Sequence, residues 1–227
     1  MFDFDSREFA SWRTLLGLRF GRLIDPPRRK PVGQLVRSMI GGRTRDEVAL
    51  RAYRRIGRRW PRAADLARAA PQAVEQAIFD VTFADVKARN LPAALGMIGA
   101  DFPGYALERL AALPVEEARA ALERYPGIGQ KVAASTLNAS TLRRPIFIVD
   151  SHVHRVMVRL GIISAKASPR FASELVTASG QALGADGLLE LFAQMKRLGQ
   201  ELCRFETPVC AACPLAPRCR TVKARAT

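Results

Sequence analysis

The chain has 227 residues, 48% hydrophobic and 25% charged, enough to bury one large core or two small ones. Its charge is far from balanced: 36 Lys plus Arg against 21 Asp plus Glu give +15 and a pI near 10.9. That surplus favours a polyanionic partner, most often nucleic acid, with an Arg- and Ala-rich composition as the plainer source. No apolar run approaches the ~18 to 20 residues of a membrane-spanning helix, which argues against a membrane partner.

The N-terminal MFDFDSREFASWR mixes acids and bases and lacks the apolar segment of a signal peptide. The expected location is therefore inside the cell, cytoplasmic and nucleoid-associated in a bacterium. An N-terminal helix leads to DPPRRKPVG (25–33), where prolines break helix and the bases stay solvated. Apolar residues then recur at three- and four-residue spacing in VGQLVRSMI, DEVALRAYRRI, PQAVEQAIF and VEEARAALERY. The same spacing returns in QKVAASTLNAS, SHVHRVMVRLGI and DGLLELFAQMKRLGQEL. Each reads as an amphipathic helix, several opened by Asp, Ser or Pro at capping positions. RRPIFIV (143–149) is an extended connector ending at Asp150. Roughly nine or ten helices and no strand make the class all-α. The breaks define a middle region, about 34–143, and two outer pieces, 1–33 and 144–227, expected to pack together as a second lobe.

VEEARAALERY, PGIG and QKVAASTLNAS read as helix, tight hairpin, helix. Pro126 ends the first helix, Gly127 and Gly129 permit backbone angles closed to other residues, and Ile128 plugs the apolar seam. Bare glycines let the hairpin N–H groups and the second helix's N-terminus approach a phosphate, a way of holding DNA backbone without reading sequence. A plain helix-helix turn is the alternative.

Behind the hairpin stands Lys131, one of six lysines among thirty arginines. The partial positive charge of a helix start, and any burial, disfavour its ammonium form. A neutral amine can form a Schiff base, although a phosphate contact is the simpler role. The helix from 130 to 142 spans roughly 20 Å, and the extended connector roughly 23 Å, so the chain can bring Asp150 back towards Lys131. Asp150 also reads as an N-cap of the next helix, and the two roles are compatible.

Cys203, Cys210, Cys213 and Cys219 follow C-x6-C-x2-C-x5-C within seventeen residues. Four thiolates on one loop suit a cubane iron–sulfur cluster, whereas structural zinc favours two separated C-x2-C pairs. Zinc is the alternative. Arg204, Arg218, Arg220, Lys223 and Arg225 surround the loop and suit a basic surface.

The hairpin YPGIGQK, the IVDSHVHRV segment and the cysteine loop, in this order and spacing, resemble the endonuclease III family of helix-hairpin-helix DNA glycosylases. The similarity runs from about residue 30 to 220. It implies a six-helix barrel domain (34–143) carrying the hairpin, and a [4Fe-4S] cluster domain (1–33 plus 144–227). It implies that Lys131 and Asp150 are catalytic and that the four cysteines hold the cluster. The implied partner is double-stranded DNA with damaged bases or abasic sites, and the implied reaction is base removal, oxidised pyrimidines above all, with strand cleavage by β-elimination. A monomer is expected.

The resemblance also places Arg43, in IGGRTRD, where the family usually shows a glutamine filling the gap of a flipped nucleotide. Phe83, in VTFADVKA, stands where an intercalating leucine is common, with core packing as its other reading. Asp85 replaces a usual asparagine, and an acid facing DNA weakens binding. Tyr125 and Val132 replace a common leucine and threonine. His152 is either a DNA contact or a helix-packing residue. Two alternatives remain: a monofunctional adenine or mismatch glycosylase, against which Lys131 argues, and a lesion-binding protein with little catalysis.

Overall fold

A computed structural model describes residues 6–23 and 27–226. Regular structure among these residues is helical, apart from one parallel bridge between Arg29 and Ser140. The chain folds as two compact units, Arg28–Leu142 and the outer pieces Met1–Pro27 with Arg143–Thr227. Among the described residues no helix is long and apolar enough to cross a membrane.

The outer unit begins with α1 (Ser6–Phe20), and the middle unit follows with α2 (Pro31–Gly41), α3 (Asp46–Arg59), α4 (Ala63–Ala67) and α5 (Pro71–Ala77). It continues through α6 (Ala84–Asp101), α7 (Val115–Glu123) and α8 (Gln130–Ala139). The basic break is shorter than the sequence suggests. Asp25 and Pro26 lie outside the described residues, and Pro31 opens α2, where its missing N–H has no helical partner to lose. PQAVEQAIF is helical only to Ala77. α3 carries Asp46 and Glu47 in its first turn and Arg58 and Arg59 in its last, each sign at the end the helix dipole favours.

α6 is the long helix that the periodic segments above omit. Its buried residues Ala88, Leu91, Leu95 and Ile98 keep the helical spacing, but Pro92 and two glycines interrupt the pattern. Twelve α-helices, several very short, thus stand among the described residues where nine or ten were expected.

In the middle unit α2 packs on α8 and α3, and α6 packs on α4 and α5. A buried polar triad fixes the first of these contacts. Gln34 Nε2 donates to Ser38 Oγ at 3.2 Å and to Ser135 Oγ at 3.0 Å, and Ser38 and Ser135 share a 2.9 Å bond. Ser135 lies one turn beyond Lys131, so the triad sets the rotation of the helix that carries the lysine. Breaking it leaves buried polar groups unpaired, at about 1–3 kcal/mol for each.

The outer unit resumes with α9 (Ser151–Leu160), α10 (Pro169–Ser179), α11 (Gly184–Glu201) and α12 (Arg220–Ala226). Phe9, Trp12 and Leu16 of α1 enter one core with Val153, Met157, Leu191, Met195 and Leu198. Phe9 and Trp12 meet edge to face at 5.3 Å. The connector before α9 is extended, and Ile146–Val149 are all buried. The Phe147 N–H donates to Thr177 Oγ1 at 2.9 Å and its carbonyl accepts from Ser173 Oγ at 2.5 Å, so α10 supplies the partners a sheet would have given.

Candidate active site

The hairpin between α7 and α8 uses its two glycines differently. Gly127 has φ +75°, and a Cβ there would stand 2.9 Å from Asn90 Cβ and 3.2 Å from Met39 Cε. Both conformation and space exclude a side chain. Gly129 has φ −99°, an ordinary extended angle, and a Cβ there would meet nothing within 4 Å. The expectation that both glycines supply special angles therefore holds for Gly127 alone. Gly129 is the residue before α8, which has no side-chain cap, and its bareness keeps the approach to the helix start clear. Ile128 is buried in the seam, and buried Tyr125 donates its hydroxyl to Asp101 Oδ2 at 2.7 Å. Burial, then that carboxylate, push the Tyr125 hydroxyl up to about 12.

Lys131 is half-buried in the first turn of α8. Gln130, immediately before it, has both amide atoms buried with no hydrogen-bond partner among the described residues. Lys87 of α6 is near enough to feel the lysine: burial first, and then the charge of Lys131, push Lys87 down to about 8.

Arg43 and Phe83 occupy separate loops, α2–α3 and α5–α6, yet come together. Both adopt left-handed backbone angles, φ 53° and 57°, unusual for residues with side chains. The Arg43 guanidinium carbon lies 5.8 Å from the centre of the Phe83 ring. Phe83 is 51% exposed, which removes the core reading. Asp85 pairs with Arg89 at 3.1 Å in the first turn of α6, so a cation of its own helix offsets its charge.

In the outer unit Asp150 caps α9: its Oδ1 accepts the N–H groups of His152 and Val153, both at 2.9 Å. The cap uses one carboxylate oxygen, which leaves Oδ2 for other chemistry. His152 packs tightly on Gly199 of α11, where an added Cβ would stand 2.9 Å from His152 Cβ. Its Nδ1 lies 3.2 Å from Arg155 Nη2, and Arg155 also donates to the carbonyls of Gly199 and Cys203.

The cysteine loop is folded by short 3-10 turns at 210–212 and 216–218, and Leu215 is buried beneath it. Cys203, Cys210, Cys213 and Cys219 line one hollow with Val156, Leu198 and Val209. Among the described residues no three His, Cys, Asp or Glu side chains converge on a point suited to a single ion. Four thiols around an apolar hollow fit a cluster with a body of its own. Burial, and then the neighbouring cysteines, push the Cys213 thiol up. Arg159 of α9 donates to Cys203 Sγ at 3.4 Å and to the carbonyls of Arg204 and Phe205, holding the loop's start. Arg204, Arg218, Arg220 and Lys223 are exposed around the loop, and the Arg225 side chain lies outside the described residues.

The sequence signature described as HhH-GPD superfamily base excision DNA repair protein matches residues 36–178. The chain belongs to that superfamily. Its relatives in sequence include endonucleases III. It is 26% identical to the endonuclease III of Thermotoga maritima over 86% of this chain and 85% of that one. It is 27% identical to that of Synechocystis over 86% and 83%. A solved endonuclease III trapped as a covalent intermediate with DNA superposes with a TM-score of 0.80 at 21% identity, over 98% of this chain and 99% of that one. This likeness establishes the fold. Lys87, Thr44, Gln130 and Arg159 carry no motif of their own, and sequence reasoning passed over all four.

Proposed function

We propose that this protein excises damaged bases from double-stranded DNA and cuts the strand at the resulting abasic site, with Lys131 as nucleophile and Asp150 as its carboxylate partner. The observation that carries the reading is Lys131 in the first turn of an uncapped helix, behind a glycine whose missing side chain leaves that end open. The hairpin N–H groups hold the phosphate backbone, and the exposed Arg43–Phe83 pair enters the stack vacated by the flipped nucleotide. As the base departs with the C1′–N bonding pair, Asp150 stabilises the positive charge that develops on the sugar and takes a proton from the attacking amine. The neutral Lys131 amine bonds to C1′, Asp150 passes the proton it took from that amine to O4′ as the C1′–O4′ bond opens, and an iminium forms. Loss of a C2′ proton then expels the 3′ phosphate. Arginine cannot replace Lys131, because it does not give up its proton near neutral pH.

Cys203, Cys210, Cys213 and Cys219 would hold a [4Fe-4S] cluster, which supplies cross-linking of the loop and a redox-capable centre. Oxidised pyrimidines are the proposed substrates. The place of action is the cell's own DNA, in a compartment where thiols stay reduced.

Borohydride added to protein and an abasic-site duplex should leave a covalent adduct, absent with Lys131→Ala and Asp150→Asn slowing its formation. An unmutated chain that excises bases without trapping would instead be monofunctional, and one that binds lesions without excision would be a sensor. A panel of damaged bases with the opposite base varied tests the pyrimidine preference.

A further inference from the structure

Lys87 sits in a polar knot joining the Arg43 loop to the Phe83 loop. Its Nζ lies 2.8 Å from the Ile40 carbonyl oxygen, 2.5 Å from that of Gly42 and 3.2 Å from Thr44 Oγ1. An ammonium has three N–H donors, and these three oxygens take all of them. Two of them are carbonyls at the C-terminal end of α2, where helix acceptors are left over and a cation is favoured.

Thr44 completes the link. Its hydroxyl donates to the Gly42 carbonyl at 3.2 Å and accepts the backbone N–H of Thr82, also at 3.2 Å. With Lys87, this fills the one donor and two acceptor sites a hydroxyl has. The bonded atoms bracket the two strained residues: Gly42 and Thr44 flank Arg43, and Thr82 precedes Phe83. A left-handed conformation at a non-glycine residue persists only where its surroundings fix it. Here one lysine and one hydroxyl fix both at once.

We propose that Lys87 and Thr44 form a staple that sets the geometry of the Arg43–Phe83 wedge and so govern engagement of the lesion without touching the reacting sugar. They are positioning residues. The purpose given to the wedge rests on the DNA-repair reading, whereas the staple itself does not.

The test begins on free protein, with hydrogen exchange in residues 40–45 and 81–84. Lys87→Met keeps the stem and removes the donors, Thr44→Val keeps the shape and removes the hydroxyl, and Thr44→Ser restores it. In both disrupting variants the two segments should exchange about tenfold faster, together, while amides 125–133 keep the parent rate. Thr44→Ser should return the parent pattern. A duplex with 2-aminopurine beside an abasic-site analogue then reports unstacking. The parent's fluorescence rise should be lost in Lys87→Met and Thr44→Val, with KM for lesion duplex up about tenfold and kcat on preformed abasic sites within about twofold. Unchanged exchange in Thr44→Val, faster exchange across the whole middle unit, or no rescue by Thr44→Ser would each overturn the staple. If the parent gives no response to DNA, the repair reading fails, and the exchange data still decide the staple.

Discussion

The Arg43 guanidinium faces the Phe83 ring at 5.8 Å, and the two residues share a left-handed backbone in loops forty residues apart. Neither conformation is explained by local sequence, since glycine or asparagine would adopt it at lower cost. The proposed wedge would put that strain to use. Phe83→Gly should therefore raise stability or leave it unchanged, yet slow base removal about tenfold or more. Chemical unfolding beside single-turnover excision reads both, and an unchanged excision rate would deny the ring a role.

The hairpin glycines should separate in the same pair of assays. Gly127→Ala forces a Cβ against Asn90 and into a positive φ, so a loss of about 2 kcal/mol or more is expected. Gly129→Ala meets open space and should leave the unfolding midpoint alone while weakening DNA binding. Unchanged DNA binding in Gly129→Ala would show that the open face is not a binding face.

Gln130 gives a third test. A buried amide without partners costs about 1–3 kcal/mol, so Gln130→Met should melt at the parent temperature or above. Its excision rate should fall if that amide is reserved for DNA. A variant both more stable and fully active would make Gln130 a packing imperfection.

Stability should vary with pH in two opposed windows. Lys87 titrates near 8 in the folded chain against an ordinary 10.5, so between these values the unfolded chain holds the extra proton, and stability rises with pH. Tyr125 titrates near 12 against an ordinary 10.0, so from 10 to 12 the folded chain holds the extra proton, and stability falls. Lys87→Met should flatten the first window and Tyr125→Phe the second, measured as urea midpoints at intervals from pH 7.5 to 11.5.

Much of this was legible in the sequence. Helical spacing located the amphipathic helices, and the spacing of four cysteines showed that they share one loop, because both signals are local. α6 was obscured because Pro92 and its glycines interrupt a face that packing against α4 and α5 nonetheless buries. Lys87 and Thr44 were invisible for another reason. Their partners are backbone carbonyls and an amide, and any residue type can present those. The difference between Gly127 and Gly129 was equally closed to sequence, since it depends on Asn90 and Met39 arriving from elsewhere in the chain.

α9 is a ten-residue rod, about 15 Å long, with Asp150 seated at its first turn and Arg159 gripping the start of the cysteine loop near its last. The carboxylate's seat is thus only as firm as the far end of that rod. Loss of that grip, as in Arg159→Ala, would reach the aspartate as a mechanical disturbance along the helix.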